Sequence, residues 1–237
     1  MLILLGGIYL GWALGSNDAA NVFGTAVASR IITFRRAALI CAVAVIIGAV
    51  LQGERGIDTL SELTSQTTTT VVIVSVSAAI VVTLMTFLGL PISTSQAVVG
   101  AIAGIGLATN DMDWAALVKV VVSWISTPLG AMLFAMIFSR LLSLLFRHVR
   151  MGILTRDNLL FSGLVVVGIY GSYALGANNV ANVTGVFSGQ IPGLDDTYLA
   201  AIGGAAIALG VLTFSRRVMM SVGSSLVTLN AQTAFIA

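Results

Sequence analysis

Eight apolar stretches, at 1–27, 37–51, 71–88, 91–107, 114–139, 159–187, 199–214 and 224–237, set the terms on which this chain can fold. Crossing the hydrocarbon core of a bilayer takes about 20 predominantly apolar residues, and several of these stretches approach that length. Backbone in lipid has no water to bond, so a spanning segment satisfies its own amides as a helix or closes into a barrel. Stretches this long predict helices, and so an all-α integral membrane protein whose solvent is the lipid bilayer. The composition agrees: 58% hydrophobic against 8% charged residues, with a mean hydropathy of +1.06, is far from a water-soluble domain. The first stretch has no basic start and carries a polar run where a cleaved signal would end, so it is read as mature sequence.

Charge falls almost wholly between the stretches and alternates in sign. Arg30, Arg35 and Arg36 follow the first stretch, and Glu54, Arg55, Asp58 and Glu62 follow the second. Asp111 and Asp113 precede the fifth; Arg140, Arg147, Arg150 and Arg156, with Asp157, follow it. Asp195 and Asp196 separate the sixth and seventh, and Arg216 with Arg217 closes the seventh. If each stretch crosses once, nine of the eleven basic residues share one side and seven of the nine acids share the other. The positive-inside rule makes the basic side cytoplasmic and puts the N-terminus outside. The uncharged connection at 88–91 is the weak point, because a single broken element there would change the parity. The basic loops follow from topology, not from nucleic acid.

One long-range repetition stands out. Residues 8–25, IYLGWALGSNDAANVFGT, and 169–186, IYGSYALGANNVANVTGV, are identical at ten of eighteen positions. The offset of 161 pairs Gly15 with Gly176, Asn17 with Asn178, Asp18 with Asn179, Asn21 with Asn182 and Gly24 with Gly185. Five crossings between the copies make them enter the membrane from opposite sides, which predicts an inverted-repeat transporter with discontinuous transmembrane helices. The repeats divide the chain at 1–139 and 159–237, around a cytoplasmic basic loop at 140–158.

Each copy sets polar residues inside an apolar segment, where unpaired groups cost several kcal/mol. Flanking glycines and the capping tendency of Asn and Asp predict a break, with half-helices starting near Ala19 and Val180. A helix start in mid-membrane aims free N–H groups at an oxyanion. The alternative is a kinked helix whose Asn side chains bridge to neighbours. A second element, Gly89-Leu90-Pro91-Ile92-Ser93-Thr94-Ser95-Gln96, has Pro91 to stop one helix and hydroxyls to cap the next; its alternative is a plain proline kink. Asp18 is the one acid inside an apolar stretch, and intramembrane acids mark function by default. It can accept a bond from a protonated phosphate, hold a co-transported sodium, or carry a proton.

Other residues read more blandly. Gly7, Gly11 and Gly15, and likewise Gly100 and Gly104, form small-residue faces suited to helix contact. Cys41 is a lone buried thiol, Lys119 snorkels toward an interface, and His148 sits among arginines with no assigned role. No HExxH, no Cys or His cluster and no nucleophile beside a histidine occurs, so the chain is not read as an enzyme.

These runs resemble the inorganic phosphate transporter family, PiT, which includes sodium- or proton-coupled phosphate symporters and sulfate permeases. GSNDAANVFGT and GANNVANV are similar to its duplicated signature, GLPISTSQ to its serine-threonine motif, and Arg216-Arg217-Val218 with Val222-Gly223-Ser224 to a third segment. The resemblance implies secondary transport of inorganic phosphate by alternating access, in the inner (plasma) membrane of a prokaryote. It also implies that Asn17, Asp18, Asn21, Thr25, Ser93, Thr94, Ser95, Asn178, Asn179 and Asn182 surround the anion, with Asp18 serving sodium or proton coupling. No cofactor is implied. Asn179 stands where the family has Asp, Met220 where it has Glu (with Val45 its first-half counterpart), and Gln96 where it has His. Fewer acids favour sulfate, which has no proton to donate near neutral pH, as the alternative substrate. The counterpart of Pro91 would fall near position 252, past Ala237. A fragment lacking its C-terminal half, a shortened homologue working as a homo-oligomer, or a non-transporting subunit is therefore expected.

Overall fold

The computed structural model describes residues 4–53, 67–148, 152–184, 187 and 195–225. Glu54, Arg55, Asp58, Glu62, Arg150, Gly185, Val186 and the stretch at 226–237 lie outside the described residues, as do the side chains of Arg147, His148, Arg156, Gly223 and Ser224. Among the described residues the chain forms eight helices: α1 Leu4–Ala28, α2 Phe34–Gln52, α3 Thr68–Leu88, α4 Thr94–Thr109, α5 Trp114–His148, α6 Ile153–Thr184, α7 Asp196–Phe214 and α8 Arg216–Ser225. Within them, five segments are long and apolar enough to cross a membrane, in α2, α3, α5, α6 and α7. The chain is thus a multi-pass, all-helical membrane protein.

Helix α1 is the centre. It carries the first polar run, and its residues from Leu10 to Ala20 are buried except for Trp12, which is half-buried; neighbouring helices, not lipid, surround that run. Gly7 and Gly11 meet Val183 of α6, while Phe23 meets Gly168 of the same helix. The two copies of the repeated run therefore lie on antiparallel neighbours. Two crossings lock this centre. A Cβ on Gly15 would strike the Ile207 carbonyl of α7, and one on Gly176 would strike the Val45 carbonyl of α2. From the partner side, Gly210 of α7 faces the Trp12 carbonyl and Gly48 of α2 faces the Tyr173 carbonyl. The α1–α7 and α6–α2 contacts thus repeat one arrangement, at offsets of 161 and 162 residues.

The expected break in the polar runs is not there. Helices α1 and α6 pass unbroken through Ala19 and Val180. Their polar side chains find partners without freeing the backbone, as when Ser16 Oγ donates to the Trp12 carbonyl at 2.7 Å and Asn179 Nδ2 to the Leu175 carbonyl at 3.1 Å. The glycines serve close approach instead of interruption. Pro91, by contrast, ends α3 as expected. Gly89 caps α3 in the left-handed region, at φ 77°, and α4 folds back along it. Val98, Val99 and Ile102 join Val74, Ala78, Ala79 and Val82 in one apolar cluster, so α3 and α4 form a helical hairpin.

Of residues 140–158, expected as a basic loop, those to His148 belong to α5 and those from Ile153 to α6, and 149–151 lie outside the described residues. Arginine side chains do not oppose a helix at a membrane boundary, which is why charge alone misplaced these ends. Arg216 and Arg217 likewise start α8, which continues along α1 beyond the turn at Ser215, with Val222 against Gly24. Gly100 and Gly104 have nothing within 4 Å, so their expected helix contact is absent among the described residues. Cys41 is buried, as expected.

Candidate functional site

The hairpin tip, residues 89–93, reaches the middle of α1. Ser93 caps α4 by accepting from the Gln96 amide at 3.3 Å, leaving the first-turn amides of α4 beside a cavity of about 310 Å³ lined by Asp18, Asn21, Pro91, Ile92, Ser93, Thr94 and Ser95. A helix start of this kind presents unbonded N–H groups and the positive end of the helix dipole.

Two polar clusters flank that first turn, one from each copy of the repeat. From α1, Asp18, only 6% exposed, accepts from Thr94 Oγ1 at 3.1 Å. From α6, Asn179 Oδ1 accepts from Ser95 Oγ at 3.5 Å, and Asn182 Nδ2 donates to Ser95 Oγ and to Asn179 Oδ1, both at 3.3 Å. The clusters differ at matched positions, since one ends in a carboxylate and the other in an amide. Asn17, with no exposed surface, sits behind the tip. Its Nδ2 donates to Thr86 Oγ1 at 2.9 Å and to the Leu90 carbonyl at 3.0 Å, and its Oδ1 accepts from the Ile92 amide at 2.9 Å.

Of the ten residues expected at the site, Asp18, Asn21, Ser93, Thr94 and Ser95 line the cavity, and Asn179 and Asn182 join it through Ser95. Asn17 faces the tip instead. Thr25 and Asn178 do not line the cavity; Asn178 is exposed on α6, and Thr25, half-buried, bonds through its carbonyl to Ser29 Oγ at 2.7 Å. Thr86 was missed, because it carried no signal among many hydroxyls. Arg217, which closes the seventh stretch and belongs to the third segment of the resemblance, lies with its guanidinium 5.5 Å from the Phe87 ring centre and beside Gly89. Among the described residues no three His, Cys, Asp or Glu side chains gather as a metal site.

Antiparallel helices carrying one repeated polar run, closed on a hairpin tip that bonds to the buried Asn17, define a membrane protein with a small polar site beside its central helix. The sequence matches the phosphate transporter family over residues 14–161 and 155–237, and the chain belongs to that family. It is 33% identical to the sulfate permease CysP of Bacillus subtilis over 94% of this chain and 64% of that protein. A putative phosphate permease of Methanocaldococcus jannaschii is 34% identical over 59% of this chain and 46% of its own length. The chain therefore spans about half to two-thirds of the length of these relatives. Its fold matches a solved structure described as the sodium-dependent phosphate transporter, with a TM-score of 0.80 and 23% identity, over 100% of this chain and 81% of that one.

Proposed function

We propose that the chain carries inorganic phosphate across a prokaryotic plasma membrane by alternating access, with the anion held at the start of α4. The observation that supports this best is the cavity at the first turn of α4, flanked by polar clusters from both copies of the repeat. Amides of α4 with Ser93, Thr94 and Ser95 would donate to the oxyanion, and Asn182 would add an amide donor through Ser95. Asp18 would repel a bare dianion, so it acts by accepting the proton of a protonated phosphate or by holding a coupling cation. The Asp18 carboxylate and Thr94 hydroxyl are hard oxygen donors that fit sodium, and a carboxylate equally takes a proton. We read the two halves as inverted repeats meeting between α5 and α6. Their matching glycine crossings give each half the same packing, as two access states of similar energy require.

Sulfate is the second reading, favoured by Asn179 at the position matched to Asp18. An amide in place of a carboxylate removes an acceptor for a phosphate proton and a charge that opposes a fully ionised anion. Competitive uptake of labelled phosphate and sulfate into proteoliposomes, at two pH values with and without sodium, separates the readings. Phosphate transport predicts saturable uptake that varies with pH and resists excess sulfate. Uptake displaced by sulfate at both pH values selects the second reading, and no uptake under any gradient rejects both.

A further inference from the structure

The wiring of Asn17 separates it from the groups around the cavity. Residues 89–93 lie between helices, so the Leu90 carbonyl and Ile92 amide have no helical partners, and Pro91 between them has no N–H. Both groups are part-buried, and backbone groups left unpaired away from water are costly. One Asn amide satisfies both, donating to the carbonyl and accepting from the amide, as a strand of backbone would. Its other N–H goes to Thr86 Oγ1, whose own proton is committed to the Val82 carbonyl at 2.7 Å. Thr86 is thereby oriented to accept. Nearly all the bonding capacity of Asn17 is spent on the hairpin, while its neighbour Asp18 turns to Thr94 and the cavity.

We infer that Asn17 is a positioning residue that pins the hairpin tip to α1, with Thr86 as its anchor, and so fixes where the first turn of α4 meets the anion. This rests on the oxyanion reading above and assigns Asn17 no contact with the anion itself. The matched Asn178 is exposed on α6.

Thr86 supplies the test, because it touches Asn17 but does not line the cavity. Leu90→Cys, at an exposed tip position with buried Cys41 as the one native thiol, is labelled with a maleimide in proteoliposomes. Thr86→Val and Asn17→Ala should each speed labelling at the tip by about tenfold or more. They should leave a Thr33→Cys control unchanged and raise the half-saturating phosphate or sulfate concentration. The double variant should be no worse than Asn17→Ala, as expected of two residues acting through one contact. Should Asn17→Ala fail to fold, Thr86→Val, which removes a hydroxyl at nearly constant shape, carries the test. Unchanged tip labelling in Thr86→Val would overturn the inference. So would lost uptake in Asn17→Ala with the rate of tip labelling unchanged, which would make Asn17 an anion ligand. Labelling requires no transport, so a wild-type protein that moves neither anion defeats the oxyanion reading while leaving the clamp to be judged on its own.

Discussion

Asp18 and Asn179 occupy the same place in the repeated run and differ by one charge, and the chemistry of the site turns on that difference. A carboxylate held off solvent with a neutral hydroxyl as its partner costs several kcal/mol unless something neutralises it. Asp18→Asn removes the need for that partner. Uptake driven by a sodium or proton gradient should then fall by about tenfold or more, the effect of losing a bond to a charged group, with the protein still folded. Coupling that stays at the wild-type level takes Asp18 out of the mechanism. Asn179→Asp works in the other direction. It puts a second negative charge beside Ser95, against which phosphate can offer a proton and sulfate cannot. The half-saturating concentration should rise more for sulfate than for phosphate, and equal shifts would show that Asn179 does not discriminate. Asp18 was legible in the sequence because an acid inside an apolar stretch has no bland explanation. Asn17 was legible as important but not in its role, since its partners lie 69 to 75 residues away and only folding brings them to it.

Among the elements, the hairpin and the glycine crossings show where local pattern decides and where it does not. Pro91 ends α3 from local sterics alone, and the hydroxyl of Ser93 caps α4 wherever the hairpin lands, so both were readable. The polar runs in α1 and α6 suggested broken helices by the same local logic, but tertiary partners satisfied their side chains and the backbone stayed helical. Small-residue faces proved equally ambiguous. Gly15 lies where a Cβ would meet backbone, and Gly100 lies in open space, though each recurs at the same four-residue spacing. Such spacing records that a close approach is allowed, not that a partner is present. Gly15→Ala should therefore destabilise by about 1–3 kcal/mol, as overpacking against rigid backbone does. Gly100→Ala should be neutral or stabilise by up to about 1 kcal/mol through helix propensity. Thermal unfolding in detergent reads both, and equal shifts would mean that the α1–α7 crossing yields more readily than its geometry implies.

At the scale of the whole molecule, orientation follows from how the elements return. The hairpin preserves parity because α4 folds back along α3, so the pair ends on the side where it began, as two full spans would. The alternation of charge along the sequence therefore survives a feature that threatened it, and α1 and α6 run in opposite directions with the second copy reversed. The turn between α1 and α2, with Arg30 and the exposed Thr33, then lies on the basic side. The start of α7, with Asp195 and the exposed Thr197, lies on the acidic side. Thr33 caps α2 without a side-chain bond, and Thr197 stands outside the packed interior, so a cysteine at either position should leave the fold intact. The positive-inside rule makes the basic side cytoplasmic. An impermeant maleimide added to right-side-out vesicles should then label Thr197→Cys and spare Thr33→Cys, and inverted vesicles should give the reverse. Labelling of both from one side would break the antiparallel arrangement of the repeated runs, and with it the reason for expecting two access states of similar energy. Opposite labelling with the sides exchanged would keep the arrangement and show that the basic residues do not set its direction.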